Sequence, residues 1–185
     1  MNNSIFKTLE TLGLTSKNTK KIFNIGTRDN AKLKVYKDAL SGVIFINEYY
    51  VGDNIYKKGK YRKEKEFIKL TGAPDYERTI DVRRRIKNYK QYLARKNILD
   101  FGCGEGDFLR LARKYSNKIF GIELQENYLR DLENDGISCF RNLQKIRDNT
   151  LDTIFSFFVL EHLPKPIETL MEIKGKLRKG GILVL

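Results

Sequence analysis

The sequence predicts an α/β fold, a parallel sheet covered by helices on both faces, preceded by a smaller α+β extension that holds a β-hairpin. Three observations predict it. From Asn97 onward, apolar runs of about five residues alternate with amphipathic stretches of about ten, the rhythm of βαβ units. The first of these runs ends in three alternating glycines, Gly102, Gly104 and Gly106. Charge divides at the same place. Residues 1–97 hold 23 Lys+Arg against 10 Asp+Glu, whereas residues 98–185 hold 13 against 13, so the whole net charge of +13 is N-terminal.

Taken in order, "SIFKTLETL" reads as a short helix and "TSKNTKK" as a polar connector. "LKVYKDALSGVIFI", residues 33–46, has two β-rich runs around Asp38–Gly42 and reads as a hairpin. "NEYYVGDNIYKKGKYRKEKE" interleaves aromatics with Lys and Arg without a period and reads as a surface loop or substrate lid. In "TIDVRRRIKNYKQYL" the residues Val82, Ile86, Tyr89 and Leu93 share a helical stripe, with Asp81 in the first turn and Arg84, Arg85 and Lys87 turned outward. Then "NILDF", "KIFGIEL", "ISCF", "DTIFSFF" and "GILVL" read as strands. "DFLRLARKY", "ENYLRDLEND" (closed by Gly136) and "PIETLMEIKGKL" (Pro166 in its first turn, Gly180 just past its end) read as helices. The expected division is a basic extension over 1–78 and a main domain over 79–185.

At 185 residues the chain buries a core without needing disulfides. Its cysteines, Cys103 and Cys139, have no CxxC or Cys/His spacing, so no metal site is expected and a reduced, cytoplasmic setting is. No charged-then-apolar leader opens the sequence and no apolar run approaches the roughly 18 residues of a membrane span, so a soluble protein is expected. The basic segment suits nucleic acid, an anionic membrane surface or a phosphorylated small substrate, and is equally what a plain lysine-rich surface looks like.

The first strand-to-helix turn of such a sheet is where a nucleotide approaches the backbone. A dinucleotide fingerprint, G-x-G-x-x-G counted from Gly102, requires its third glycine at Asp107. Here the third is Gly106, and Glu105 and Asp107 stand where a pyrophosphate would meet the helix, so a cationic ligand without phosphate is expected. Glu123, 21 residues past Gly102, is placed to accept hydrogen bonds from both ribose hydroxyls. Glu123 by itself does not separate NAD from S-adenosylmethionine.

With those residues in view, "LDFGCGEGDFL", "GIEL" and "DTIFSFFVLEHLPKPIETLMEIKGKLRKGGILVL" resemble the class I S-adenosylmethionine-dependent methyltransferases over about residues 79–185. "ERTIDVRRRIKNY" and "SGVIFINEYY" are similar to a bacterial subgroup found with sugar and cell-surface polysaccharide biosynthesis. The resemblance implies a Rossmann-like fold and S-adenosylmethionine as cofactor. It puts Asp100, Gly102, Gly104 and Gly106 in the cofactor loop, Glu123 on the ribose and Asn142 and Leu143 at the adenine, with Cys103, Leu124 and Phe157 also along the cofactor. It also implies two more strands, which would make a sequence that stops at Leu185 a C-terminally incomplete form whose own activity is in question.

"LEH" follows the fourth strand of this pattern. Glu161 and His162, the single histidine, either deprotonate an acceptor or hydrogen-bond the loop and shape the pocket. Methyl transfer from a sulfonium needs chiefly in-line positioning, so the lack of a triad or metal site does not count against an enzyme. The expected acceptor is a small polar molecule, a sugar or nucleotide-linked sugar. The alternatives are an RNA or protein methyltransferase, with Tyr49, Tyr50, Tyr56 and Tyr61 stacking on bases, and a cofactor-binding module without activity.

Overall fold

The computed structural model describes residues 5–27, 30–47 and 73–185, and the chain divides into two compact units, Met1–Val51 and Gly52–Leu185. The loop or lid expected over residues 47–66, with Tyr49, Tyr50, Tyr56 and Tyr61, lies outside the described residues apart from Asn47.

In the first unit, helix α1 (Ile5–Thr11) is followed by a three-stranded antiparallel sheet in the order β1 (Lys20–Ile25), β2 (Lys34–Asp38), β3 (Ile44–Ile46). The expected hairpin is β2–β3, turning at Asp38–Gly42. Asp38 organises that turn. Its Oδ1 accepts the N–H groups of Leu40 and Ser41, each at 2.9 Å, and its Oδ2 accepts the hydroxyls of Thr15, at 2.8 Å, and Thr19. Those hydrogen bonds, that of Thr19 foremost, hold the Asp38 carboxyl well below the usual carboxylate range against the opposing effect of its burial. Strand β1 was not expected: "TSKNTKK" read as a connector, yet Lys20 and Lys21 begin a strand that pairs with β2. One face of this sheet is covered on its β2–β3 side by α1, where Phe6 stacks on Phe45 with ring centroids 6.4 Å apart and Lys20 lies over the rings of Phe6 and Tyr36.

The second unit contains helices α2 (Ala73–Asn88) and α3 (Lys90–Leu93), then strands β4 (Asn97–Phe101), β5 (Lys118–Ile122), β6 (Ser138–Phe140), β7 (Leu151–Phe155) and β8 (Leu177–Val184). The strands form one parallel sheet in the order β6-β5-β4-β7-β8. Helices α4 (Asp107–Ala112), α5 (Glu126–Asn134) and α6 (Pro166–Lys176) connect them. The expected Rossmann-like sheet flanked by helices is what forms. Alternation along β4 explains the two layers. Ile98 joins a core with Val82, Ile86, Phe108, Leu109 and Leu132, while Leu99 faces the other way into a core with Ile122, Ile154 and Ile173.

Three details differ from expectation. Helix α2 starts at Ala73, so Asp81 sits in its middle, paired with Arg84 and Arg85. Helix α4 stops at Ala112 rather than running to Tyr115. Helix α6 ends at Lys176, and Gly180 lies inside β8 instead of capping it, at a φ of 78° where the pairing with β7 slips between Leu151 and Thr153. Among the described residues, no helix is long and apolar enough to cross a membrane.

Candidate active site

The carboxyl ends of the parallel strands carry nearly every residue singled out in the sequence. After β4 the chain turns through Gly102, Gly104 and Gly106 at φ values of 80°, 56° and 81°, a region that favours glycine. The N–H groups of Gly102 and Cys103 both donate to the Ile122 carbonyl, at 2.8 and 3.0 Å, tying the loop to β5. A Cβ on Gly102 would stand 2.4 Å from Val159 Cγ2, and one on Gly106 2.2 Å from Leu132 Cδ2. The protein's own packing thus requires these glycines, in addition to any approach by a ligand.

Glu123 leaves β5 and folds back onto this loop. Its Oε2 accepts the Gly104 N–H at 2.9 Å, and its Oε1 accepts the N–H groups of Leu124 and Gln125 at 2.7 and 2.9 Å. A carboxylate offers about four acceptor positions, so these three donors leave roughly one, on Oε2. Glu123 therefore has room for one ribose hydroxyl as it stands. Taking both, as expected from the sequence, requires it to release a backbone N–H.

Asp100, one residue before the end of β4, is 4 % exposed. Burial pushes its carboxyl up to about 7, the Arg85 guanidinium works against that shift, and the neighbouring Glu123 adds to it. Arg85 was expected to point outward. Its side chain instead turns in, pairs with Asp81 at 2.5 Å and lies 4.3 Å over the Phe157 ring. The reason is helical phase. Arg85 lies three residues after Val82 and four before Tyr89, on the margin of the buried stripe, where a flat cation over an aromatic face is stable.

The expectation that Glu105 and Asp107 present bare negative charge is corrected by their partners. Arg78 pairs with both, reaching Asp107 at 2.6 Å, and Arg110 Nη1 donates to the Glu105 carbonyl at 2.5 Å. Their side chains are partly offset at the surface, so the like-charge barrier to an anion is weaker than the sequence suggested. The carboxylate facing the loop's backbone is Glu123.

Beside the loop lies a cleft of about 660 Å³ lined by Arg84, Arg85, Asn88, Tyr89, Phe157, Phe158 and Glu161 among others. Phe157 lines it and packs in an aromatic cluster with Tyr89, Phe108 and Phe155 at centroid separations of 5.0–6.0 Å. Sequence reasoning missed Tyr89 and Arg85 as lining residues, although Tyr89 is in the helical stripe and Arg85 is on its margin. Glu161 and His162 sit on a short 3₁₀ turn, half exposed, with His162 Nε2 4.0 Å from Glu161 Oε1. Leu124 and Asn142 are exposed, whereas the Leu143 side chain is buried in the core, so its backbone is what it can offer a ligand. Cys103 Sγ lies 3.6 Å from Cys139 Sγ. The hydrogen bond with Cys139 and then burial push the Cys103 thiol far up, so it stays protonated and fills the turn rather than acting as a nucleophile.

Residues 76–185 match the family model described as a methyltransferase domain. The chain belongs to that family. It is 30 % identical over 114 residues to the tRNA U34 carboxymethyltransferase of Trichlorobacter lovleyi, an overlap of 55 % of this chain and 35 % of that protein. The enzyme of the same name from Geobacter sp. is 31 % identical over 114 residues with the same coverage. The chain thus spans about a third of the length of the curated relatives it matches. Among solved structures, one titled "DhpI-SAM-HEP complex" superposes with a TM-score of 0.54 at 14 % identity, over 73 % of this chain and 65 % of that one, a likeness of fold. The expected methyltransferase family is borne out. Both relatives are named for tRNA rather than for a sugar.

Proposed function

We propose that this chain carries the core of an S-adenosylmethionine-dependent methyltransferase that acts on RNA, with tRNA as the substrate class, in the cytoplasm. The observation that carries the acceptor is the 30 % identity over 114 residues to an enzyme named for U34 of tRNA. The net charge of +13, all of it before residue 98, suits a polyanionic acceptor. The cofactor is S-adenosylmethionine, supported by the family, by a loop with the wrong glycine spacing for a dinucleotide, and by two carboxylates at its edge.

When bound, S-adenosylmethionine supplies a methyl group on a cationic sulfur, open to in-line attack. The residues of this chain bind, orient and neutralise. Glu123 accepts a ribose hydroxyl through the acceptor position left on Oε2. Asp100 ionises against the positive charge of the ligand. Leu124, Asn142 and the Leu143 backbone flank the adenine, and Gly102, Cys103, Gly104, Gly106 and Phe157 line the rest. Glu161 and His162 stand on the acceptor side, where His162 in its neutral form takes the proton of a poorly nucleophilic acceptor.

The test is label transfer from tritiated S-adenosylmethionine to bulk tRNA and, separately, to nucleotide-linked sugars. Label in tRNA that is lost in Glu123→Ala is the expected result. Label in a sugar and none in RNA would overturn the acceptor. Calorimetry with S-adenosylhomocysteine and NADH checks the cofactor, and tighter binding of NADH would overturn that assignment.

A further inference from the structure

The three-stranded sheet of the first unit has two unlike faces. On the face carrying Tyr36 and Phe45, α1 covers the β2–β3 side, while Ile22 on β1 stays 56 % exposed. The other carries Lys21 on β1, Lys37 on β2 and Ile44 on β3, which lie side by side because Lys21 is the register partner of Lys37 and Lys37 that of Ile44. Phe23, two residues after Lys21, completes the patch. It is 57 % exposed, Ile44 is 53 % exposed, and Lys37 Nζ lies 5.7 Å from the Phe23 ring centroid.

This arrangement runs against what a sheet does for its own stability. Like charges placed directly opposite on neighbouring strands repel, and neither Lys21 nor Lys37 has an acidic partner among the described residues. A half-exposed phenylalanine beside the Lys37 ammonium loses apolar burial as well. Such breaches of local preference mark function when an outside ligand repairs them. A ligand that repairs both at once carries anions at close spacing and flat apolar groups between them. Single-stranded nucleic acid is built that way, with phosphates for the lysines and bases for the ring. The surrounding sequence adds to the field: residues 15–47 hold seven Lys+Arg against two Asp+Glu.

We propose that the open face of β1–β3, through Lys21, Phe23 and Lys37, is an RNA-docking surface that holds a single-stranded segment of the acceptor. This rests on the RNA reading above and deepens it, placing part of the substrate recognition outside the methyltransferase domain.

The experiment is fluorescence anisotropy of the full chain with a labelled oligouridylate, titrated across KCl concentrations. The double variant Lys21→Gln/Lys37→Gln is expected to flatten the slope of log K against log salt by about 1.4, roughly 0.7 for each single-strand phosphate that no longer meets a lysine. Phe23→Ala and Phe23→Leu are expected to weaken binding about 5- to 150-fold, and Phe23→Trp to preserve it, because the ring rather than the apolar bulk supplies the stacking. Lys174→Gln/Lys179→Gln, which removes the same charge from α6 and β8, is expected to stay near wild type. Every position changed, in the sheet and in its control, is exposed, and circular dichroism checks that each variant folds. A chain that labels tRNA but whose RNA binding ignores the Lys21, Lys37 and Phe23 changes would overturn this surface and leave the RNA reading standing. A chain that labels no tRNA and binds no oligouridylate at low salt would overturn both. Tighter binding to phosphatidylserine vesicles than to RNA would also overturn the surface.

Discussion

The glycine loop and the open face of β1–β3 both gather charge, but they treat it in opposite ways. Around the loop every acidic side chain is engaged: Glu123 by three backbone N–H groups, Glu105 and Asp107 by Arg78, and Asp100 by burial beside Arg85. On the sheet face, two lysines meet without a counter-charge among the described residues. A site for a small ligand is preformed by internal satisfaction, whereas a surface for a polyanion keeps its charges available.

The largest test of the satisfied half is Asp100. Its carboxyl titrates near 4 in an unfolded chain and at about 7 here. The folded protein therefore holds this proton longer than the unfolded chain. Stability from the group is complete below pH 4 and is lost as pH rises through 7, by up to about 4 kcal/mol. Urea unfolding at pH 5 and pH 8 reads the part lost above pH 5, about 2.7 kcal/mol, and Asp100→Asn is expected to abolish it. Affinity for a cationic cofactor runs the other way and rises through pH 7, because the ligand selects the ionised form.

Next comes Gly106→Ala, which places a methyl against Leu132 at a left-handed φ. It is expected to cost about 2–5 kcal/mol, from roughly 1–2 of backbone strain and 1–3 of overpacking. Gly136→Ala separates those two effects. Gly136 also has a positive φ, 69°, but its Cβ would meet nothing closer than 3.6 Å, so about 1–2 kcal/mol is expected from the same urea titration. Asp38→Asn probes the other region. It loosens the turn that joins β2 to β3 and lowers the unfolding midpoint of the first unit, read by amide resonances there, with those of the glycine loop unchanged. Smallest is Arg110→Ala, which removes the exposed pairs with Asp135 and Asp107 and the bond to the Glu105 carbonyl, for about 1 kcal/mol.

The parallel sheet was legible because its central strands β4 and β7 are buried on both faces and its glycines mark the turn, so period and punctuation agree. Strand β1 was not. Ile22, Phe23 and Ile25 are all exposed in it, with a register slip between Ile22 and Asn24, so the run shows no alternation of buried and solvated positions. At the site, Gly102 and Glu123 were singled out from spacing after their strands and Phe157 from the family resemblance. Arg85 and Arg78 were not, because their charge suggested solvent while their partners, Phe157, Asp81, Glu105 and Asp107, come from packing that no local window contains. The pairing of Lys21 with Lys37 across β1 and β2 was not legible either, because it depends on the register of a strand that the sequence pattern did not mark.

Leu132 Cδ2 occupies the space a side chain at Gly106 would need, and Glu123, just ahead of the same helix α5, grips Gly104. Loop and helix are thereby latched at two points. The amides of Gly102, Cys103 and Gly104 should exchange with deuterium slowly even without a ligand, at rates tracking those of α5, so that the two open together as one cooperative unit.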